Sequence, residues 1–386
     1  MSEAMETIET RAMHEDAPLA LDGISGAMVQ LGCESLAPML SFFTERLGFR
    51  IDAIFPADNP KTALVSGHGI RLQLSAGVAN AAPRLTLLCD DPARIAQGLR
   101  QLTAPNGTVV RFAEANPAYK LPPTVQALVL SQAGESTHWT VGRAGLRYRD
   151  LLPQRHGGAF IASHIRILEG GPVPDYVHYH KVRFQMIFCR SGWVRVLYEG
   201  QGAPMVLRAG DCVLQPPMIR HRVLESSAGA EVIEIGTPAE HITIAEHTLT
   251  LPSVDLPPDH EFGGQRFVRH TASTAPWLPW RLDGFEHQDT GIGGATSGLA
   301  GARVVRRVAG AEAASFPQQH DTEFCFYFVL SGAADFCYGD ERLPLKADDS
   351  ITVPGGLRYA FGNTSPDLTL LEVTLPDAVA LTQAPD

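Results

Sequence analysis

The feature that most constrains this chain is an internal repeat. Ser191-Gly192 recurs as Ser331-Gly332, and Pro216-Pro217-Met218 recurs as Pro354-Gly355-Gly356, at offsets of 140 and 138 residues. An offset that steady over the length of a domain argues for duplication of one structural unit. Around Arg149–Ile244 and Phe267–Leu375 the text is strand-rich and broken by Gly and Pro. The 36 Gly and 28 Pro of the chain are spread along it, which suits many short strands joined by tight turns rather than long helices. The stretch Leu251-Pro-Ser-Val-Asp-Leu-Pro-Pro-Asp-His260, rich in Pro and Asp, marks the boundary between the two copies.

Composition narrows the function classes. Of 386 residues, 45% are hydrophobic and 19% charged, enough to fill sizeable cores and too apolar for a mostly disordered chain. With 31 basic and 42 acidic side chains the net charge is −11. A chain this acidic lacks the basic face of a nucleic-acid binder and is not drawn to an anionic membrane. No stretch approaches the roughly 20 apolar residues of a membrane span. The acidic start, residues 1–21, has no apolar run and reads as a loose tail rather than a secretory signal. The six cysteines, Cys33, Cys89, Cys189, Cys212, Cys325 and Cys337, include no CxxC pair; they read as reduced thiols of a cytoplasmic protein.

The segment before the repeats, residues 22–145, opens with an apolar strand at Ala27–Leu31. An amphipathic helix over Leu36–Leu47 follows, with Leu36, Leu40, Phe43 and Leu47 at helical spacing and Gly48 as its C-cap. Strands are expected at Phe49–Phe55, Thr62–Ser66 and Ile70–Ser75. The order strand, helix, strand, strand, strand, with Ser41-Phe-Phe-Thr-Glu-Arg-Leu-Gly-Phe49, resembles one module of the vicinal-oxygen-chelate fold of the glyoxalase and bleomycin-resistance family. A weaker second module follows: strand Arg84–Cys89, helix Pro92–Leu102, and strands near Thr108–Phe112 and Val125–Leu130. At the positions where that family has a His and a Glu ligand, this chain has Met28 and Gln73. A thioether and an amide are poor ligands for a hard or borderline divalent ion, so the resemblance implies a metal-free scaffold or lid.

The chemistry lies in the first repeat. In Val177-His-Tyr-His-Lys181, His178 and His180 fall on one face of a strand, because the strand period is two. Gln185 follows after four residues and Gly192 after six more; Gly210, Pro216 and His221 come next. These residues resemble the two motifs of the cupin superfamily, with Met218 where Gly is usual and Gln185 where Glu is usual. The resemblance implies a jelly-roll barrel holding one divalent metal ion on His178, His180, Gln185 and His221, with Fe(II) favoured and Ni, Zn, Mn or Co as alternatives. Gln185 alters the electrostatics. Three imidazoles and an amide are all neutral, so an ion there keeps its full charge and favours a small anionic, chelating molecule.

Parity extends the cavity to Tyr176, Ile187 and Cys189. On the strand Phe160–Ile167, one reading turns His164 and Arg166 inward, with Arg166 holding a substrate carboxylate bidentately. The other puts Ile165 and Ile167 in the core and the polar pair outside, and is the one favoured. Tyr176, Arg166 and His164 are nonetheless the candidate catalytic residues. Arg220 and Arg222 are expected on the outer face, and His241 and His247 on a linker. In the second repeat the ligand positions read Gln318, His320, Cys325 and Tyr359; only one imidazole survives, so this copy is expected to hold no metal. Phe324, Phe326 and Phe328 share one strand face, suited to an aromatic core or a contact between barrels.

The expected architecture is therefore mostly β: an α+β glyoxalase-like domain (22–145), a cupin barrel with a metal site (146–250) and a second, degenerate barrel (251–386). The resemblance to bicupins implies a metal-dependent enzyme on a small anionic substrate, with a dioxygenase leading. A non-redox lyase, isomerase or hydrolase acting on a keto acid or sugar acid follows, then a small-molecule-binding cupin without catalysis. Barrels of this type pair within the chain or as homodimers.

Overall fold

The computed structural model describes residues 22–78, 84–96, 98–99, 101–103, 109–134, 138–312 and 317–383; the expected tail lies outside them. The chain divides into two compact units, one of residues 22–54 and 61–118, the other of residues 55–60 and 119–383. Among the described residues no helix is long and apolar enough to cross a membrane.

In the N-terminal unit the strand Ile24–Cys33 runs parallel to Ile70–Ala76 and antiparallel to Arg84–Cys89. Thr62–Gly67 pairs with the other edge of Ile70–Ala76. The helix begins at Leu36 and keeps α geometry to Ser41, then widens over Phe42–Arg46. The Thr44 hydroxyl donates to the Leu40 carbonyl at 3.0 Å, the kind of back-bonding that loosens a helix. Leu36, Ile54, Ala63, Val65, Leu72 and Leu74 form the core. The order strand, helix, strand, strand, strand is present.

Two expectations about the weaker module give way. The helix from Pro92 reaches Ala96, while Leu102–Thr103 is a short strand. The strand expected at Val125–Leu130 lies at Val129–Ser131 and pairs with Ser350–Thr352 of the C-terminal unit. The boundary expected at residue 145 accordingly falls near 118. Apolar strand text does not name its partner, and this partner lies more than two hundred residues away.

The C-terminal unit holds two barrels. In the first, one sheet runs Arg147–Asp150, Ile161–Ile167, Ala230–Thr237, Phe184–Ser191, Cys212–Leu214. The facing sheet contains Met205–Arg208, Trp193–Tyr198, His221–Ser226, His178–His180 and Thr243–Ala245. In the second barrel the corresponding sheet runs Phe285–Asp289, Gly301–Arg307, Thr369–Leu375, Phe324–Ser331, Ser350–Thr352. Each sheet is completed by the other copy. Val129–Ser131 closes the second barrel's sheet, and Val268–His270 closes the first barrel's, against Cys212–Leu214. These strands stand 139 residues apart, so the repeat begins before each barrel and its leading strand is exchanged. The barrel boundaries expected at 146, 250 and 251 miss this reciprocal swap.

The barrels share one core. Phe160 of the first stacks on Phe324 of the second at 4.4 Å between ring centres, with Phe184, Phe188, Phe326 and Phe328 in the same cluster. Phe324, Phe326 and Phe328 thus form the contact that their alternation indicated, burying apolar area from both copies.

Candidate metal centre

The first barrel encloses a cavity of about 90 Å³, which admits a small molecule and no polymer. Strand pairing assembles its polar wall. His178 and His180 share a face of His178–His180, and His221 lies directly opposite His178 on the antiparallel neighbour. The three rings lie 4.2 to 5.2 Å apart, and one ligand nitrogen from each falls within 4.8 Å of the other two.

The backs of the rings are tied down. His178 Nδ1–H donates to the Tyr176 carbonyl at 2.8 Å and His221 Nδ1–H to the Ile219 carbonyl at 3.0 Å. His180 Nδ1 meets the Thr243 hydroxyl at 3.2 Å. With Nδ1 carrying the proton, Nε2 of His178 and His221 keeps its lone pair, the tautomer that a metal ligand needs. Burial pushes all three imidazoles down, His221 to about 4 and His178 and His180 well below their ordinary value. They are neutral bases near pH 7. This donor set fits a divalent ion.

Gln185 is buried on the neighbouring strand and lines the same cavity. Its amide nitrogen donates to Glu234 Oε1 at 2.5 Å. Glu234 was not anticipated from the sequence. It sits among apolar residues of Ala230–Thr237, opposite Ile187, and lines the cavity. Burial raises its carboxyl above the usual range, against the pull of His241 and Gln185. The wall therefore carries an ionisable carboxyl beside the imidazoles and the amide. The signal was available: a carboxylate at inward parity, with Val232 and Gly236, on a core strand.

Three further departures concern cations and rings. His241, assigned to a linker, is buried with its ring centre 5.2 Å from that of His180. Its Nδ1–H donates to the Pro238 carbonyl at 3.0 Å, and its Nε2 has no partner among the described residues. Arg222, expected outside, contributes to the cavity wall. Arg143 lines it as well, bound to Asp175 Oδ1 and placing Nη2 3.0 Å from His178 Nε2.

The candidate catalytic residues fare unevenly. Ile165 and Ile167 face the cavity, so His164 and Arg166 point to the opposite side of their strand. There both bind Glu231, at 2.8 and 2.7 Å. Ile165 and Ile167 took the cavity side because burying them is favourable and burying a guanidinium is not. The expectation of a solvated polar pair holds for the half-exposed Arg166 and fails for His164, which is buried on the other side of the strand against Trp139 and Phe328. Tyr176 lies beside His178 with ring centres 5.8 Å apart; it is absent from the cavity wall, and its hydroxyl is buried without a partner among the described residues. The tyrosines on the wall are Tyr148 and Tyr198. Tyr198 stacks on His221 and accepts from Gln215 at 2.9 Å.

The second barrel fills the same region differently. Gln318, His320, Cys325 and Tyr359 are all buried, and no metal-binding cluster forms from them among the described residues. Arg281 instead binds Glu372, with Nη1 2.9 Å from Oε2, and also donates to Tyr327 at 2.8 Å. Burial opposes ionisation of Glu372, yet the guanidinium holds its carboxyl below the ordinary range.

Among known families, residues 304–374 match the cupin domain. That stretch belongs to the second barrel, not to the one carrying the histidines. No curated protein matches the chain. Among solved structures, YlbA from E. coli is similar at 12% identity and a TM-score of 0.47, covering 68% of this chain and 96% of that one. Oxalate decarboxylase from Bacillus subtilis is similar at 14% identity and a TM-score of 0.47, covering 69% and 79%. A variant of salicylate 1,2-dioxygenase from Pseudoaminobacter salicylatoxidans is similar at 12% and 0.43, covering 56% and 70%.

Proposed function

We propose that the first barrel is a metal-dependent enzyme centre acting on a small anionic organic molecule. His178, His180 and His221 hold one divalent ion and Gln185 is its fourth donor. The observation that carries this reading is the convergence of three neutral imidazoles, their ligand nitrogens within 4.8 Å of one another, on one enclosed cavity. A divalent ion there supplies Lewis acidity toward a chelating oxygen or, as Fe(II), the redox chemistry of a dioxygenase. The chain's own residues orient the ligands through Tyr176, Ile219 and Thr243, and exclude water with Ile165, Ile187 and Val196. The second barrel is a structural partner, its Arg281–Glu372 pair standing where the first barrel has its polar wall. The N-terminal unit is a vicinal-oxygen-chelate module without ligands, serving as scaffold.

A second reading is favoured by Glu234. A buried carboxyl on the wall suits proton transfer in a non-redox lyase, isomerase or hydrolase of a keto acid or sugar acid. Two measurements separate the readings. Metal analysis of protein purified without chelator should give one ion per chain in the wild type and none in His178→Ala. Turnover of dihydroxy-aromatic and 1,3-dicarbonyl acids should then need both Fe(II) and O₂; turnover that persists anaerobically with Zn or Ni refutes the dioxygenase and supports the second reading.

A further inference from the structure

We propose that Arg143 is the substrate's carboxylate anchor, so that the molecule taken by the first barrel carries a carboxylate beside its metal-chelating oxygen. The inference rests on the metal-centre reading above and names its substrate class.

The duplication carries the argument. Arg143 and Arg281 stand 138 residues apart, each a few residues ahead of the strand that opens its barrel, and Glu234 and Glu372 stand 138 apart on equivalent strands. In the second barrel the pair is closed: Arg281 grips Glu372 through both terminal nitrogens. In the first barrel the same two residues are parted. Glu234 takes the Gln185 amide at 2.5 Å, while Arg143 turns to Asp175 Oδ1 and to His178 Nε2. The metal barrel has therefore kept the guanidinium and withheld the carboxylate that satisfies its twin.

Arg143 is held at one end only. Asp175 takes Nη1 through Oδ1, and its Oδ2 already accepts the Val223 amide at 2.9 Å. The acceptor for Nη2 is the Nε2 lone pair of His178, which a metal ion requires for itself. Nε of Arg143 is buried without a partner among the described residues. An ion on His178 thus leaves Nε and Nη2 unsatisfied. These two nitrogens form one edge of the planar guanidinium, the edge that a carboxylate meets bidentately. Glu372 meets Arg281 end-on through Nη1 and Nη2; on Arg143 Asp175 already holds Nη1, so an exogenous carboxylate meets the side-on edge of Nε and Nη2 instead. Arg166, the residue that strand parity offered for this role, is spent on Glu231 on the other side of the sheet.

The test titrates Co(II)-loaded full-length protein with pyruvate, benzoate and hydroxyacetone, the last lacking a carboxylate, and follows the Co(II) visible spectrum. Wild type should bind at least one acid more tightly than hydroxyacetone. Arg143→Gln should weaken that acid at least 30-fold, leave hydroxyacetone within twofold and keep one Co(II) per chain. Arg143→Lys, which keeps the charge and loses the fork, should fall between. The double variant Arg143→Gln/Asp175→Asn removes both charges of the buried pair together and should show the same selective loss. Unchanged acid affinity in a metal-loaded Arg143 variant overturns the anchor alone, as does a wild type that binds neither acid. A wild type that takes up no Co(II) overturns the metal-centre reading, and the anchor with it.

Discussion

If His178, His180 and His221 hold the proposed ion, protons compete with it for the same three nitrogens, and the metal-stripped protein should be sensitive to mild acid. In the unfolded chain each histidine titrates near 6.5; in the fold His221 is pushed by burial to about 4. Between those values the unfolded state binds a proton that the folded state refuses, and stability falls as pH falls. The loss sets in as pH drops through 6.5 and is complete near 4. At about 1.4 kcal/mol per pH unit, His221 alone costs about 3 kcal/mol over that window. His178 and His180 shift in the same direction and deepen the loss. The assay is urea unfolding of EDTA-treated protein at half-unit steps from pH 7.5 to 4, alongside His221→Gln. The variant should lose about 3 kcal/mol of the pH dependence and keep the rest. Zn(II) at a thousandfold excess over its Kd should add about 4 kcal/mol at pH 7, and that gain should vanish in acid as protons displace it. A wild-type unfolding free energy that is flat from pH 7 to 4, or a variant as acid-sensitive as the wild type, refutes the claim that these imidazoles are buried neutral.

Other perturbations separate the parts. Gln185→Glu replaces the amide that donates to Glu234 with a second carboxyl; the two share a proton until a cation neutralises them, so Co(II) binding by titration should tighten about tenfold at high pH and lose that gain in mild acid. Glu372→Gln leaves Arg281 buried without its counter-ion and should destabilise by about 3–5 kcal/mol in urea unfolding, while metal content in the first barrel stays at one per chain. Phe324→Ala removes the ring stacked on Phe160 and should cost about 3–5 kcal/mol; since Phe324 does not line the cavity of His178, His180 and His221, metal stoichiometry should not change.

Much of the site was legible because it is local. His178 and His180 sit two apart on a strand, and a period of two places them together whatever the surroundings. The repeat announced itself through turn residues, Gly192 and Gly332 at φ of 68° and 74°, where a side chain is strained. The motif positions of the second copy, Gln318, His320, Cys325 and Tyr359, could be placed by the same turn residues.

What stayed hidden depended on partners distant in the chain. The exchange of Val129–Ser131 and Val268–His270 between barrels is written in no local pattern, because a strand's edge accepts any backbone of suitable register. Glu234 and Arg143 read as ordinary polar residues until folding brings them to one cavity, and His241 until folding sets its ring beside His180. Alternation on Ile161–Ile167 already favoured Ile165 and Ile167 inward, and the structure adds what alternation could not, that His164 and Arg166 both go to Glu231. Sequence alone put His178 and His180 on one strand face and showed where the chain repeats, since spacing along a strand is fixed by covalent geometry. The tertiary structure decided which charges share the cavity with them, since that depends on which distant strands meet and on the cost of leaving a buried charge unpaired.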